Sequence, residues 1–173
     1  MTDDAHKPSR ELSDSEEVLL GFLDYYRSVI TRKIDGLGEE ELRSSRLPSG
    51  WTPLQLLKHL ACMEQRWFRW GFTAEQLPDP HGDEDDSGRW RVGADETAAE
   101  LVTALHAAGA STRSIVTAAD LTDVAAAGGR FPEDDPRPRP TLAWILVYVL
   151  QEYARHAGHL DTARELIDGA TGE

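Results

Sequence analysis

The sequence predicts an all-α protein built as a four-helix bundle. Three observations carry that prediction: four long segments have apolar residues at three-and-four spacing, no segment alternates convincingly with the period of two that a strand needs, and no internal repeat occurs. The chain has 173 residues, 40 % of them hydrophobic. That length suits one domain with its own core, expected over residues 14–173, after a polar tail over 1–13 in which His6 is expected to be solvent-exposed.

The first helix is expected from Ser15 to Leu37, where Val18, Leu19, Phe22, Tyr26, Val29, Ile30 and Ile34 form one stripe before Gly36 and Gly38 end it. The second has the sharpest start in the chain. Thr52 can cap it, Pro53 suits the first helical position, and Gln55 can complete a capping box. It is expected to run to about Trp70, with Leu54, Leu57, Ala61 and Phe68 on one strip and Leu56, Leu60, Met63 and Trp67 on the next. So wide an apolar face places this helix deep in the bundle.

Leu77 to Gly88 holds two Pro, two Gly and five acidic residues, and reads as an exposed loop. A third helix follows from about Asp95 to Ala119, on Leu101, Leu105, Ile115 and Val116, with Gly109 as a weak point. Gly128 to Pro140 carries four prolines and reads as a long connection into the last helix, which is expected from about Pro140 to Asp168.

Charge and targeting signals narrow the function. With 18 Lys+Arg against 31 Asp+Glu the formal charge is -13, and no basic cluster offsets it, so neither nucleic acid nor an anionic membrane surface is an expected partner. The longest apolar run, Leu142 to Leu150, is far shorter than the roughly 20 residues of a membrane span. The polar N-terminus and the single cysteine, Cys62, point to the cytoplasm. Small molecules or proteins are the expected partners. Nucleotide-binding and serine-hydrolase motifs are absent from the sequence.

The chemistry concentrates on the last helix, whose stripe of Leu142, Ile145, Val149, Tyr153 and Leu160 also carries His156, with Glu152 and His159 on the flank. Glu152, His156 and His159 are one turn apart in succession and share one side of the helix. On the second helix, His59 sits inside an otherwise apolar run. If it faces the last helix, His59, Glu152 and His156 supply two imidazoles and a carboxylate with positions left open, a set suited to a catalytic divalent metal. The competing reading has a core histidine bonded to a backbone carbonyl and Glu152 paired with Arg155 or Arg164. Cys62 reads as a small core residue, and Asp83 to Gly88 reads as a solvated loop, because the twelfth position of a calcium loop would be Ala94. His81 is expected in a loop and His106 on a polar helix face.

Three stretches together resemble the DinB-like superfamily of metal-binding four-helix bundles, and within it the DUF664 branch. They are Leu23-Asp24-Tyr25-Tyr26-Arg27; Pro48-Ser49-Gly50-Trp51-Thr52-Pro53 followed by Lys58-His59-Leu60 and Glu64; and Glu152-Tyr153-Ala154-Arg155-His156-Ala157-Gly158-His159-Leu160-Asp161. The resemblance implies metal ligands at His59, Glu152 and His156, where Glu152 replaces the more common histidine as it does in the mycothiol-dependent maleylpyruvate isomerases. It makes His159 a further ligand or a supporting group. It implies a divalent ion, zinc ahead of nickel, iron or manganese, with mycothiol as co-substrate, and a homodimer. The implied activity is thiol S-transfer or isomerisation on a small electrophilic molecule. The alternative is a non-enzymatic bundle that binds a metal or ligand with the same residues.

Overall fold

A computed structural model describes residues 6–171. Five α-helices follow one another: α1 (Ser15–Ile34), α2 (Glu39–Arg43), α3 (Pro53–Trp67), α4 (Ala98–Val116) and α5 (Leu142–Asp168). A π-helical turn, Phe68–Phe72, continues α3. No strand occurs among the described residues, so the all-α expectation holds. Residues 1–5 of the expected tail lie outside the described residues; of the remainder, Pro8 packs beside Gly21 of α1.

The four long helices pack in a ring, α3 against α4 and α5, and α1 against α5 and α4. Their apolar faces meet in one core, from Leu23 and Ile30 on α1 through Leu56 and Leu60 on α3 to Leu105 on α4 and Val149 on α5. No helix among the described residues is long and apolar enough to cross a membrane.

Local chemistry sets the helix starts. The Thr52 hydroxyl accepts from the Gln55 amide at 3.2 Å, and the Gln55 side chain accepts from the Thr52 amide at 2.9 Å, so the expected capping box forms. A second box, Thr97 with Glu100, starts α4 three residues later than the apolar pattern alone suggests. The short α2 has no counterpart in the sequence prediction, since five residues are too few to show a period. The first helix stops at Ile34, because Gly36 turns the backbone to φ +80° immediately afterwards.

The buried face of α1 is rotated from its expected stripe. Leu20, Leu23, Arg27, Val29, Ile30 and Ile34 point inward, the last three as expected, while Val18, Leu19, Phe22 and Tyr26 are only partly covered. The cause is Arg27, 2 % exposed, whose guanidinium pairs with the fully buried Glu64 of α3. Glu64 also accepts from Thr112 Oγ1 on α4 and from Tyr153 Oη on α5, each at 2.5 Å. One carboxylate therefore ties all four long helices together. Gly109 belongs to the same arrangement: a Cβ there would lie 2.7 Å from Arg27 Nε, so the glycine leaves room for the guanidinium in an unbroken α4.

Candidate metal centre

His59 on α3 and Glu152 and His156 on α5 come together across the α3–α5 contact. One ligand atom from each lies within 4.8 Å of the others, and all three residues are buried. The rings of His59 and His156 meet edge to face with centroids 5.1 Å apart. His156 Nε2 lies 3.3 Å from Glu152 Oε2 and is a fully buried polar atom with no hydrogen-bond partner.

Part of the competing sequence reading is present as well, for Glu152 does accept from Arg155 at 3.0 Å. That pairing leaves the carboxylate within the cluster. Arg164 is engaged elsewhere, with Asp168 and the carbonyls of Lys33 and Asp35. Among the described residues, His59 bonds to Asp83 and His156 to His159, and neither to a backbone carbonyl as a purely structural role would have it.

His59 is held by a residue that sequence reasoning missed. Its Nδ1 is 2.9 Å from Oδ2 of Asp83, a side chain with no exposure. Asp83 also receives both terminal nitrogens of the buried Arg66, which donates in addition to the Pro80 carbonyl. The 77–88 segment is therefore not wholly an exposed loop. A turn builds this: Asp85 accepts from the amides of Ser87 and Arg89, Glu84 bridges to Trp90, and Arg91 donates its amide to the Asp83 carbonyl. Five neighbouring acidic residues look alike in sequence, and the burial of one is decided by the partner it meets. The cationic Arg66, on the same helix face two turns after His59, is the signal that could have found it.

Aromatic rings close the site. Trp90 stacks on His59 with centroids 4.1 Å apart and meets His156 edge-on at 5.4 Å. His159 stands outside the converging trio, exposed, with Nδ1 3.3 Å from Nδ1 of His156 and its ring 5.7 Å from that of Trp51.

The electrostatics prepare neutral imidazole and an ionised support. Burial, with the fields of His59, Arg155 and His159, lowers His156 to about 3, so it is an unprotonated donor at neutral pH. Burial alone would raise the Asp83 carboxyl, yet hydrogen bonds from His59 and Arg66 and the charge of Arg66 bring it down to about 2. Cys62 is only half-buried, and burial raises its thiol to about 11, which suits an inert residue. His81 lies exposed in its loop and His106 is exposed on α4.

Two imidazoles and a carboxylate, one nitrogen among them buried without a partner, fit a divalent first-row cation, and the carboxylate behind His59 is the usual outer support of such a ligand. Comparison with known proteins agrees with the architecture. The family model for mycothiol S-transferase matches residues 18–169. No curated protein matches the chain. The matched span takes in α3, α4, α5, all but the first three residues of α1, and the residues of the candidate centre, and the chain belongs to the mycothiol S-transferase family.

Proposed function

We propose that the protein is a metal-dependent S-transferase that joins a mycothiol-type thiol to a small electrophile, with His59, Glu152 and His156 as the metal ligands and zinc as the leading ion. The observation that carries this reading is the convergence of those three side chains around a buried, unpartnered His156 Nε2. The family match supports the thiol as co-substrate. A divalent ion bound there would hold a thiol as thiolate near neutral pH, the form that attacks an electrophile.

The chain's own residues supply the rest. Asp83 takes the Nδ1–H of His59, which leaves Nε2 as the free lone pair. His159 stands at Nδ1 of His156 and fixes that ring's Nε2 in the same sense, which assigns it a supporting role. Glu152 contributes negative charge, moderated by Arg155. Trp90 covers the His59 ring, which excludes water from one side.

Elemental analysis by mass spectrometry on untagged protein tests the site, before and after chelation, beside His59→Ala and His156→Ala. Near-stoichiometric metal in the parent and its loss in both variants is expected. Unchanged metal content in His59→Ala would refute the ligand set. Mycothiol consumption with monochlorobimane then tests the activity: turnover should require the loaded metal, and a rate equal to the protein-free control across zinc, nickel, iron and manganese would leave a binding bundle instead.

A further inference from the structure

A cavity of about 750 Å³ opens at the other end of the α3–α5 contact, where the π-helical turn meets the 128–140 connection and the start of α5. Trp67 on its wall lies eight residues beyond His59, about 12 Å along the helix, so the cavity is distinct from the candidate metal centre. The wall is aromatic. Trp67 lies 5.7 Å from Trp144 and 6.2 Å from Phe131, measured between ring centroids, and Trp70 adds a further face.

Three arginines reach this cavity in a protein whose formal charge is -13. Two of them are engaged. Arg137 pairs with Asp135 at 2.6 Å, and Arg139 donates to the Ala125 carbonyl at 2.8 Å. Arg130 is the exception: its guanidinium lies over Trp67, 4.1 Å from the ring centroid, half-buried and with no side-chain hydrogen bond or ion pair among the described residues. Burial, with the charge of Arg66, lowers Arg130 from its ordinary value against the opposing pull of Tyr148 and Glu84.

The backbone holds Arg130 in place. Its amide donates to the Trp70 carbonyl at 3.2 Å, and Gly128 and Phe131 exchange hydrogen bonds of 2.8 and 3.0 Å around it. Gly129, at φ +51°, lies so close to Trp70 that a Cβ would overlap the Trp70 carbonyl. A flexible surface arginine needs no such seat. Here the turn aims one cation into an aromatic cavity.

We propose that this cavity binds a small organic carboxylate with a flat, apolar body, the carboxylate taken by Arg130 and the body lying against the Trp67 and Trp144 wall. The planar guanidinium offers two parallel N–H donors to a carboxylate, and the low-dielectric wall strengthens that pairing. The acidic surface elsewhere repels the same ligand, whereas this cavity is lined by three arginines and one carboxylate, Asp135, and attracts it. Binding here does not depend on the metal.

Isothermal titration of the full chain with 1-naphthoate and with its neutral isostere 1-naphthamide tests this. Naphthoate should bind at least about tenfold more tightly than naphthamide, the effect expected of one charge-assisted pair. Arg130→Met should abolish that preference, and Arg130→Lys should keep part of it. Trp144→Ala, at an exposed position, should weaken both probes together. His59→Ala and chelated protein should bind naphthoate as the parent does, which separates this site from the fate of the metal reading. Equal affinity for the two probes, unchanged naphthoate binding in Arg130→Met, or no binding at millimolar naphthoate would each overturn the proposal and leave Arg130 as packing on Trp67. Should Arg130→Met fail to fold by circular dichroism, the probe preference of the parent and of Arg130→Lys decides.

Discussion

Asp83→Asn keeps the shape of the side chain behind His59 but removes its charge. Loss of such an outer carboxylate weakens metal binding by about 10- to 100-fold, so competition with a chelator should show that drop at unchanged stoichiometry. An affinity equal to the parent's would mean that His59 is oriented by Trp90 stacking alone. Cys62 provides a pH test. Burial raises its thiol to about 11, so thiolate is the minor form below that value and grows about tenfold per pH unit. Alkylation by iodoacetamide should therefore be slow at pH 8, about one thiol in a thousand being ionised, and should rise log-linearly toward pH 11. At this scale His156 and His59 were legible as candidates because they stand on stripes that are otherwise apolar, where an ionisable group needs a reason, and Glu152 because it lies on the flank one turn from His156. Asp83 was not legible. Its neighbours Glu84, Asp85 and Asp86 have the same character, and only Arg66 and His59, brought up from α3, distinguish it.

The helices are held to one another by polar atoms as well as by the apolar core. Tyr153→Phe removes one hydrogen bond to Glu64 and should reduce stability by about 1–3 kcal/mol in urea unfolding. Glu64→Leu should be worse, about 3–5 kcal/mol, because it removes the buried carboxylate of Arg27 and leaves only the half-exposed Asp24 as its partner. If the two substitutions proved equal, Asp24 would suffice as the partner of Arg27. The inward turn of Arg27 also explains the rotation of the buried face of α1: an apolar-only count passes over a buried arginine, and the seam takes in Leu20 and Leu23 beside it together with Val29, Ile30 and Ile34 of the expected stripe. Helix starts were read more accurately than ends. The Thr52 cap follows from side-chain chemistry within four residues, whereas no local pattern marks the passage of α3 into a π-helical turn at Phe68, where a Cβ on Gly71 would crowd the Arg66 carbonyl and the Phe131 ring.

For the molecule as a whole, self-repulsion opposes compactness at a formal charge of -13. Raising ionic strength from about 0.01 to 0.15 M shortens the screening length from about 30 to 8 Å, and the melting temperature should rise. A gain of about 2–4 °C would correspond to roughly 1 kcal/mol of relieved repulsion for a domain of this size. A fall would show that surface pairs such as Lys58 with Glu96 outweigh it.

The sequence by itself determined the fold class and the four long helices and marked His59, Glu152 and His156 as candidates, because periodicity and capping are local properties and an ionisable group on or beside an apolar stripe announces itself within one turn, whereas their convergence was left to the tertiary structure. Only the tertiary structure decided which loop reaches which end of the bundle. It placed the 77–90 turn, with Asp83 and Trp90, on His59, and the 128–140 connection, with Arg130, over Trp67. Those placements depend on ion pairs and ring contacts between residues far apart in the chain, such as Arg27 with Glu64, whose mutual approach no local pattern encodes.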